Sequence, residues 1–236
     1  MQLSVEPITR HCPESEIYES VLPLDNARIL ELGCGRAELT RAIATGGTNR
    51  EIIALEVDEI QHAKNLEITD LPNVTFALGG AESIPLDDAS IDVVLMFKSL
   101  HHVPVERMAQ GLSEVRRVLK PGGMAYVSEP IFAGEFNEIL RLFHDEEKVR
   151  QAAFEAVINA VESGQFNLVE EIFFHAPMAF ENFAAFEQQV IGVTHTDHQL
   201  SEEVYRQVKQ RFEQNLGPEG AKFLMPIRVD LLQKGA

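Results

Sequence analysis

Ile29-Leu30-Glu31-Leu32-Gly33-Cys34-Gly35-Arg36-Ala37-Glu38-Leu39-Thr40 decides how this chain is read. An apolar run ends in a short turn of small residues, and a helical pattern follows. Small residues let the backbone bend sharply and come close to a ligand. The helix that follows opens with free N–H groups aimed at the same place. Gly-x-Gly alone also fits a plain turn, and three further residues sharpen it. Glu31 ends the strand where a carboxylate can face a cation. Ala37 keeps the third loop position small. Glu56 closes the next apolar run, placed to accept hydrogen bonds from ribose hydroxyls. A dinucleotide loop needs its third glycine at position 38, where this chain has glutamate, and Glu31 has no role beside a pyrophosphate. Both acids suit a ligand with an ammonium, a ribose and an adenine but no phosphate, which describes S-adenosylmethionine (SAM).

Outward from the loop, apolar runs alternate with amphipathic stretches. Ala27 to Leu32, Glu51 to Val57, Val74 to Leu78, Ile91 to Phe97 and Met124 to Ser128 read as strands. Leu39 to Ala44, Asp58 to Leu66 (with Asp58 as N-cap) and Glu106 to Leu119 read as helices. Lys120-Pro121-Gly122-Gly123 stops the last of these. The alternation predicts a mostly parallel sheet with helices on both faces. Beyond residue 130 the pattern changes. Glu135 to about Ser163 reads as one long or broken helix, Phe166 to Phe174 as a strand, and Pro177 to Gln214 as helix in two pieces. Lys222 to Leu232 reads as a final strand, weakened by Pro226. The expected whole is one α/β domain with a seven-stranded, mostly parallel sheet and one reversed strand near an edge. Its parts are a ligand-binding core over 27–130, a helical cap over 131–216 and a terminal strand over 217–236.

The 236 residues carry 20 Lys+Arg against 37 Asp+Glu, a net charge of −17. Such a surface repels phosphate backbones and anionic headgroups, so neither nucleic acid nor membrane is an expected partner. No run reaches the ~18 apolar residues of a membrane span. Two cysteines, Cys12 and Cys34, carry no pairing demand, and a cytoplasmic location is expected. Monomer and homodimer both remain open.

The loop and its surroundings resemble the class I SAM-dependent methyltransferases. The resemblance continues through Ala54-Leu55-Glu56-Val57-Asp58-Glu59, Gly79-Gly80-Ala81-Glu82-Ser83-Ile84-Pro85-Leu86, Ile91-Asp92-Val93-Val94, Ser99-Leu100-His101-His102-Val103 and Glu114 to Gly123. Five motifs in order look like the small-molecule branch typified by the ubiquinone- and menaquinone-biosynthesis methyltransferases. The similarity spans about residues 27 to 130 and implies a Rossmann-like fold and SAM-dependent methylation of a small molecule. It implies that Glu31 contacts the methionine amino group, that Gly33, Cys34 and Gly35 form the loop beneath the methionine and ribose, and that Glu56 binds the ribose. Val57 would pack on the adenine, the Ala81 N–H would meet an adenine nitrogen, and Phe97 and Lys98 would lie beside the transferable methyl. The family often has aspartate where this chain has Gly80, which leaves Glu82 to reach the adenine amino group.

Methyl transfer from a sulfonium needs alignment and dryness more than acid–base help. Candidate bases are His101 and His102 after the fourth strand. Glu129 after the fifth strand and His144 are candidate substrate contacts. His195 and His198 flank an aspartate in possible metal geometry, but a loop capping the next helix explains them better, and no metal is expected. Phe132, Phe136, Phe143, Phe173, Phe174, Phe180, Phe183 and Phe186 predict ordinary core, with some walling an acceptor pocket. Only three Lys+Arg lie between residues 131 and 200, which predicts a neutral or cationic acceptor, although Lys98 and Arg141 leave room for a carboxylate. The alternative function is a non-catalytic SAM-binding subunit; a nicotinamide-dependent oxidoreductase is disfavoured by Glu31 and Glu38.

Overall fold

The computed structural model describes residues 1–193, 198 and 200–235. Helix α1 (Glu14–Val21) leads into β1 (Arg28–Leu32), α2 (Glu38–Thr45), β2 (Glu51–Glu56), α3 (Glu59–Asn65), β3 (Val74–Leu78), β4 (Ile91–Phe97), α4 (Met108–Val118) and β5 (Leu119–Pro130). Next come α5 (Glu135–Leu140), α6 (Glu147–Glu162), β6 (Asn167–Phe180), α7 (Phe183–Phe186), a π-helical turn at Glu187–Ile191 and α8 (Glu202–Glu213). The two-residue β7 (Leu216–Gly217) then turns into β8 (Gly220–Gln233). The sheet runs β3-β2-β1-β4-β5-β8-β6, with β7 paired only to β8. Strands β1 to β5 pair in parallel, and β8 runs against both of its neighbours. This is the expected mostly parallel sheet with one reversed strand next to an edge. Strand order changes direction between β1 and β4, which opens a crevice at their carboxyl ends.

Side-chain alternation along the strands builds the two faces. Leu30, Leu32, Val94, Met96, Ala125 and Val127 point to the face covered by α4 and α6. Ile29, Val93, Leu95 and Tyr126 point to the face covered by α1 and α2. A separate apolar cluster joins Phe136 and Ile139 of α5 to Phe180, Phe183, Phe186, Val208, Phe212 and Phe223. Most of the phenylalanines are therefore core, but core of a satellite layer built by the later helices. Helix α6 belongs to the sheet itself, since Ala153, Val157 and Ala160 pack in the α4 face.

Several boundaries differ from the sequence reading. Helix α1 lacks a sequence signal because its eight residues bury little beyond Ile17 and Tyr18 as apolar side chains. The 135–163 stretch is broken over 141–146 into α5 and α6. Strand β6 runs to Phe180, well past Phe174, because β8 pairs with it along its whole length as far as Phe180 opposite Ala221. Pro226 is tolerated inside β8. Its carbonyl accepts from Ile131 N at 2.9 Å, so its nitrogen faces β5 one residue past the last ladder pair, where no donor is required.

Candidate functional site

The glycine loop closes by backbone bonds to the neighbouring strand. Gly33 N and Cys34 N both donate to Leu55 O, at 2.9 and 3.0 Å. Gly33 adopts φ +75°, and a Cβ there would stand 2.9 Å from Ser99 Cβ, so no side chain fits between the ends of β1 and β4. Gly35 N donates to Glu56 Oε2 at 2.7 Å, and Glu56 Oε1 accepts from Val57 N and Asp58 N at 2.8 and 2.9 Å. One carboxylate thus pins the loop to the end of β2 and keeps one lone pair on Oε2 in reserve for a ligand. Asp58 caps α3 as expected, accepting from Ile60 N at 2.9 Å.

These elements border a cleft of about 510 Å³. It gathers Gly33, Gly35, Glu56, Val57, Gly80, Ala81, Glu82 and Lys98, together with Ser99 and His102. At Gly80 a Cβ would lie 2.6 Å from Glu82 Oε2. The Glu82 carboxylate therefore occupies the space that a side chain at position 80 would fill. Lys98 takes φ +53°, and its Nζ meets Glu14 Oε2 of α1 at 2.9 Å.

Three residues expected in this cleft lie behind it. Glu31 is 2% exposed and accepts from Thr40 Oγ1 at 2.6 Å. Burial pushes its pKa up to about 7, against the pull of Thr40 and Lys98. Cys34 is buried under the loop, where Asn65 Nδ2 meets its sulfur at 3.4 Å. Burial, with Glu31 and Glu56 nearby, pushes its thiol well up, which makes it inert. Phe97 is wedged between the Tyr18 and Tyr126 rings, centroids 5.6 and 5.5 Å away, and packs in the core.

The two histidines after β4 separate into different roles. His101 is 5% exposed, with Nδ1 on Glu129 Oε2 and Nε2 3.5 Å from Glu146 Oε1. Burial opposes its charge, but the two carboxylates outweigh burial and raise it to about 9. Both ring nitrogens of His101 therefore face carboxylates, and neither is presented to the cleft. His102 is exposed, lies tilted by 39° against the His101 ring at 4.1 Å between centroids, and lines the cleft. Glu129 also accepts from Leu100 N at 2.9 Å, which fixes the turn after β4 to the end of β5.

His144 Nε2 donates to Glu146 Oε1 at 2.9 Å, and His144 lines neither this cleft nor the second one. Ligand-type atoms of His101, His102 and Glu146 lie within 4.8 Å of one another. Within that group His101 Nδ1 is engaged by Glu129 Oε2, and Glu146 Oε2 accepts from Arg150 Nη2 at 2.6 Å. His195 lies outside the described residues, while the His198 ring contacts Phe143 and His144.

Sequence reading missed a second cleft, of about 560 Å³, under the N-terminal arm. It is bordered by Leu3 to Ile8, by Pro130 to Gly134, and by Glu129, Arg150 and Arg228. Arg228 and Asp230 are 2% and 0% exposed and pair at 2.9 Å. The available signal was two charges at i and i+2 inside the apolar run Ile227 to Leu232, which puts both on one face of a strand.

Residues 29–123 match the methyltransferase domain family. An uncharacterized methyltransferase of Mycobacterium tuberculosis is 38% identical over 108 residues, covering 46% of this chain and 42% of that protein. A demethylmenaquinone methyltransferase of Chlorobaculum tepidum is 47% identical over 60 residues, covering 25% and 24%. The chain thus spans less than half the length of these curated relatives. Among solved structures, a SAM-dependent methyltransferase from Methanosarcina mazei superposes with a TM-score of 0.56 at 16% identity, covering 96% of this chain and 99% of that one. With the sheet order and the glycine loop, these matches show that residues 29–123 are similar to the methyltransferase domain family and that the whole chain shares the fold of the Methanosarcina mazei structure.

Proposed function

We propose that this chain binds SAM in the 510 Å³ cleft and transfers its methyl group to a small-molecule acceptor. The observation that carries the reading is Glu56, which pins the glycine loop at the topological switch point and turns its carboxylate to the cleft. The cleft suits the group. Its volume falls in the range of cofactor sites. A Cβ on Gly35 would meet nothing within 4 Å, so the loop backbone is open to a ligand. SAM supplies, when bound, an electrophilic methyl on a sulfonium whose departure is neutral.

The chain's residues divide the remaining work. Glu56 accepts from a ribose hydroxyl, and Val57, 62% exposed, offers an apolar face to the adenine. Glu82 stands where a side chain at 80 would be and accepts from the adenine amino group. Glu31 balances the ammonium from behind the loop, and Lys98 with Glu14 closes the floor. His102 is the base for an acceptor that must lose a proton, while His101 and Glu129 hold its turn in place. The 131–216 region contributes the cap: Gln188 and Gln189 of the π-helical turn face Gly35 and Glu56 across a gap of about 490 Å³. The free Cys12 and Cys34 fit a reducing cytoplasm. Among the described residues no helix is long and apolar enough to cross a membrane.

The test is incubation with methyl-tritiated SAM and an ultrafiltered metabolite extract. Protein-dependent label should appear in a new small-molecule peak, and His102→Ala should slow its formation. SAM binding without any transfer would make the chain a binding subunit, and label in protein or nucleic acid would overturn the acceptor class.

A further inference from the structure

Around the 560 Å³ cleft, the buried polar groups do not balance. Arg228 is 2% exposed and, among the described residues, donates one hydrogen bond, from Nε to Asp230. Its Nη2 is buried with no partner. The Phe154 ring lies 4.2 Å from Cζ and holds the guanidinium plane in place. Arg150 donates from Nη1 to Asn137 Oδ1 and from Nη2 to Glu146 Oε2, yet its buried Nε has no partner, and neither has Asn137 Nδ2. Three donors stand unanswered in this corner, two of them on guanidinium groups, beside one unanswered acceptor, Asp230 Oδ1. An unpaired buried donor costs ~1–3 kcal/mol, and more when charged, so such a set signals an absent acceptor of hydrogen bonds.

Resting on the methyl-transfer reading, we infer that this cleft is the acceptor pocket and that the acceptor carries a carboxylate seated on Arg228, with Arg150 behind it. A planar guanidinium fork matches two carboxylate oxygens. Among the described residues no lysine borders the cleft, so its cationic groups are the two guanidinium forks. Glu6 and Glu147, the acidic residues at the solvent side of the cleft, are exposed, so the anionic end seats inward on Arg228. Glu129 borders this cleft, and its partner His101 lies against His102 of the cofactor cleft. The Glu129–His101–His102 chain is therefore the wall that the two sites share. The scarcity of basic residues over 131–200 predicts a neutral or cationic acceptor. Burial reverses that inference, because Arg150, one of the three, is placed inside this cleft, and β8 supplies Arg228.

The experiment titrates the full chain, saturated with S-adenosylhomocysteine, with sodium benzoate, benzamide and inorganic phosphate by calorimetry. Benzoate should bind at least ~10-fold more tightly than its neutral isostere benzamide, and phosphate should bind more weakly than benzoate. Arg228→Lys keeps the charge but removes the fork, and should weaken benzoate ~10-fold with S-adenosylhomocysteine affinity unchanged. Equal affinity for benzoate and benzamide in the unaltered protein would overturn the proposal whether or not the variant folds. So would phosphate binding as tight as benzoate, or full benzoate affinity in Arg228→Lys. Failure of S-adenosylhomocysteine to bind strikes the methyl-transfer reading instead, and the benzoate comparison then runs on the free protein.

Discussion

Replacing Glu129 by Gln removes one charge from a buried pair and exposes how the turn after β4 is held. Both partners are buried, at 2% for Glu129 and 5% for His101. Glu129 and Glu146 raise His101 to about 9 against burial, from an unfolded value near 6.5. A raised pKa on a basic group contributes stability that is fully present below about pH 6.5 and is lost as pH rises through 9. Between pH 7 and pH 9 this amounts to about 2 kcal/mol. Glu31, raised by burial to about 7, loses most of its own contribution below pH 7 and adds little to that window. Above pH 9 the buried Cys34 thiol and Tyr126 phenol, both pushed up by burial, begin to lose theirs, so the window ends there. In Glu129→Gln the imidazole keeps only Glu146, at 3.5 Å, as an anionic partner, and burial drives it neutral. A neutral amide–imidazole hydrogen bond can replace the ion pair, so the cost at pH 7 is about 2 to 3 kcal/mol, below the full penalty of an orphaned buried charge. Urea unfolding at several pH values reads both effects. The unaltered protein should weaken by about 2 kcal/mol from pH 7 to 9, and Glu129→Gln should be nearly flat. A flat profile in the unaltered protein would refute the account of His101 as a protonated, structural histidine.

Glu56→Ala should weaken S-adenosylhomocysteine binding by ~2 kcal/mol, because it deletes charge-assisted bonds and frees Gly35 N, Val57 N and Asp58 N; calorimetry measures it. Glu82→Ala should cost ~1 kcal/mol of cofactor affinity. Gly80→Asp, which brings a second carboxylate against Glu82 Oε2, should also weaken binding. The double variant should recover most of the loss, and simple additivity would disprove the exchange of roles between 80 and 82. Glu31, near half-protonated at pH 7, should release about half a proton when an ammonium arrives. Titrations in buffers of different ionisation enthalpy detect this release, and Glu31→Gln should abolish it.

The cleft around the glycine loop was legible because its signals are local. A strand followed by Gly33 and Gly35, a strand that ends at Glu56 and one that ends just before Lys98 place side chains through period-two alternation and the turn alone. Gly80 and Glu82 were readable as a departure, and the structure supplies its cause, a carboxylate filling the space above the glycine. Residues whose role depends on depth were not legible. Glu31, Cys34 and Phe97 have the right positions in the chain but sit behind the loop, because the face a strand residue takes depends on what packs there. His101 and His102 are adjacent and identical, and only burial beside Glu129 and Glu146 makes one a charged strut and the other a cleft residue. The second cleft assembles Arg150 from α6 and Arg228 from β8 with an arm from the N-terminus, contacts of long sequence separation that no spacing rule reports. Helix α1 was missed for the same reason, since Glu14 gains meaning only by meeting Lys98.

Calorimetric titration of the free protein with S-adenosylhomocysteine and with NAD, in parallel, tests the central claim most directly. The Glu56-pinned loop, the glutamate at position 38 and the buried Glu31 predict saturable binding of S-adenosylhomocysteine and none of NAD. Saturable NAD binding with no response to S-adenosylhomocysteine would contradict the assignment of the cleft.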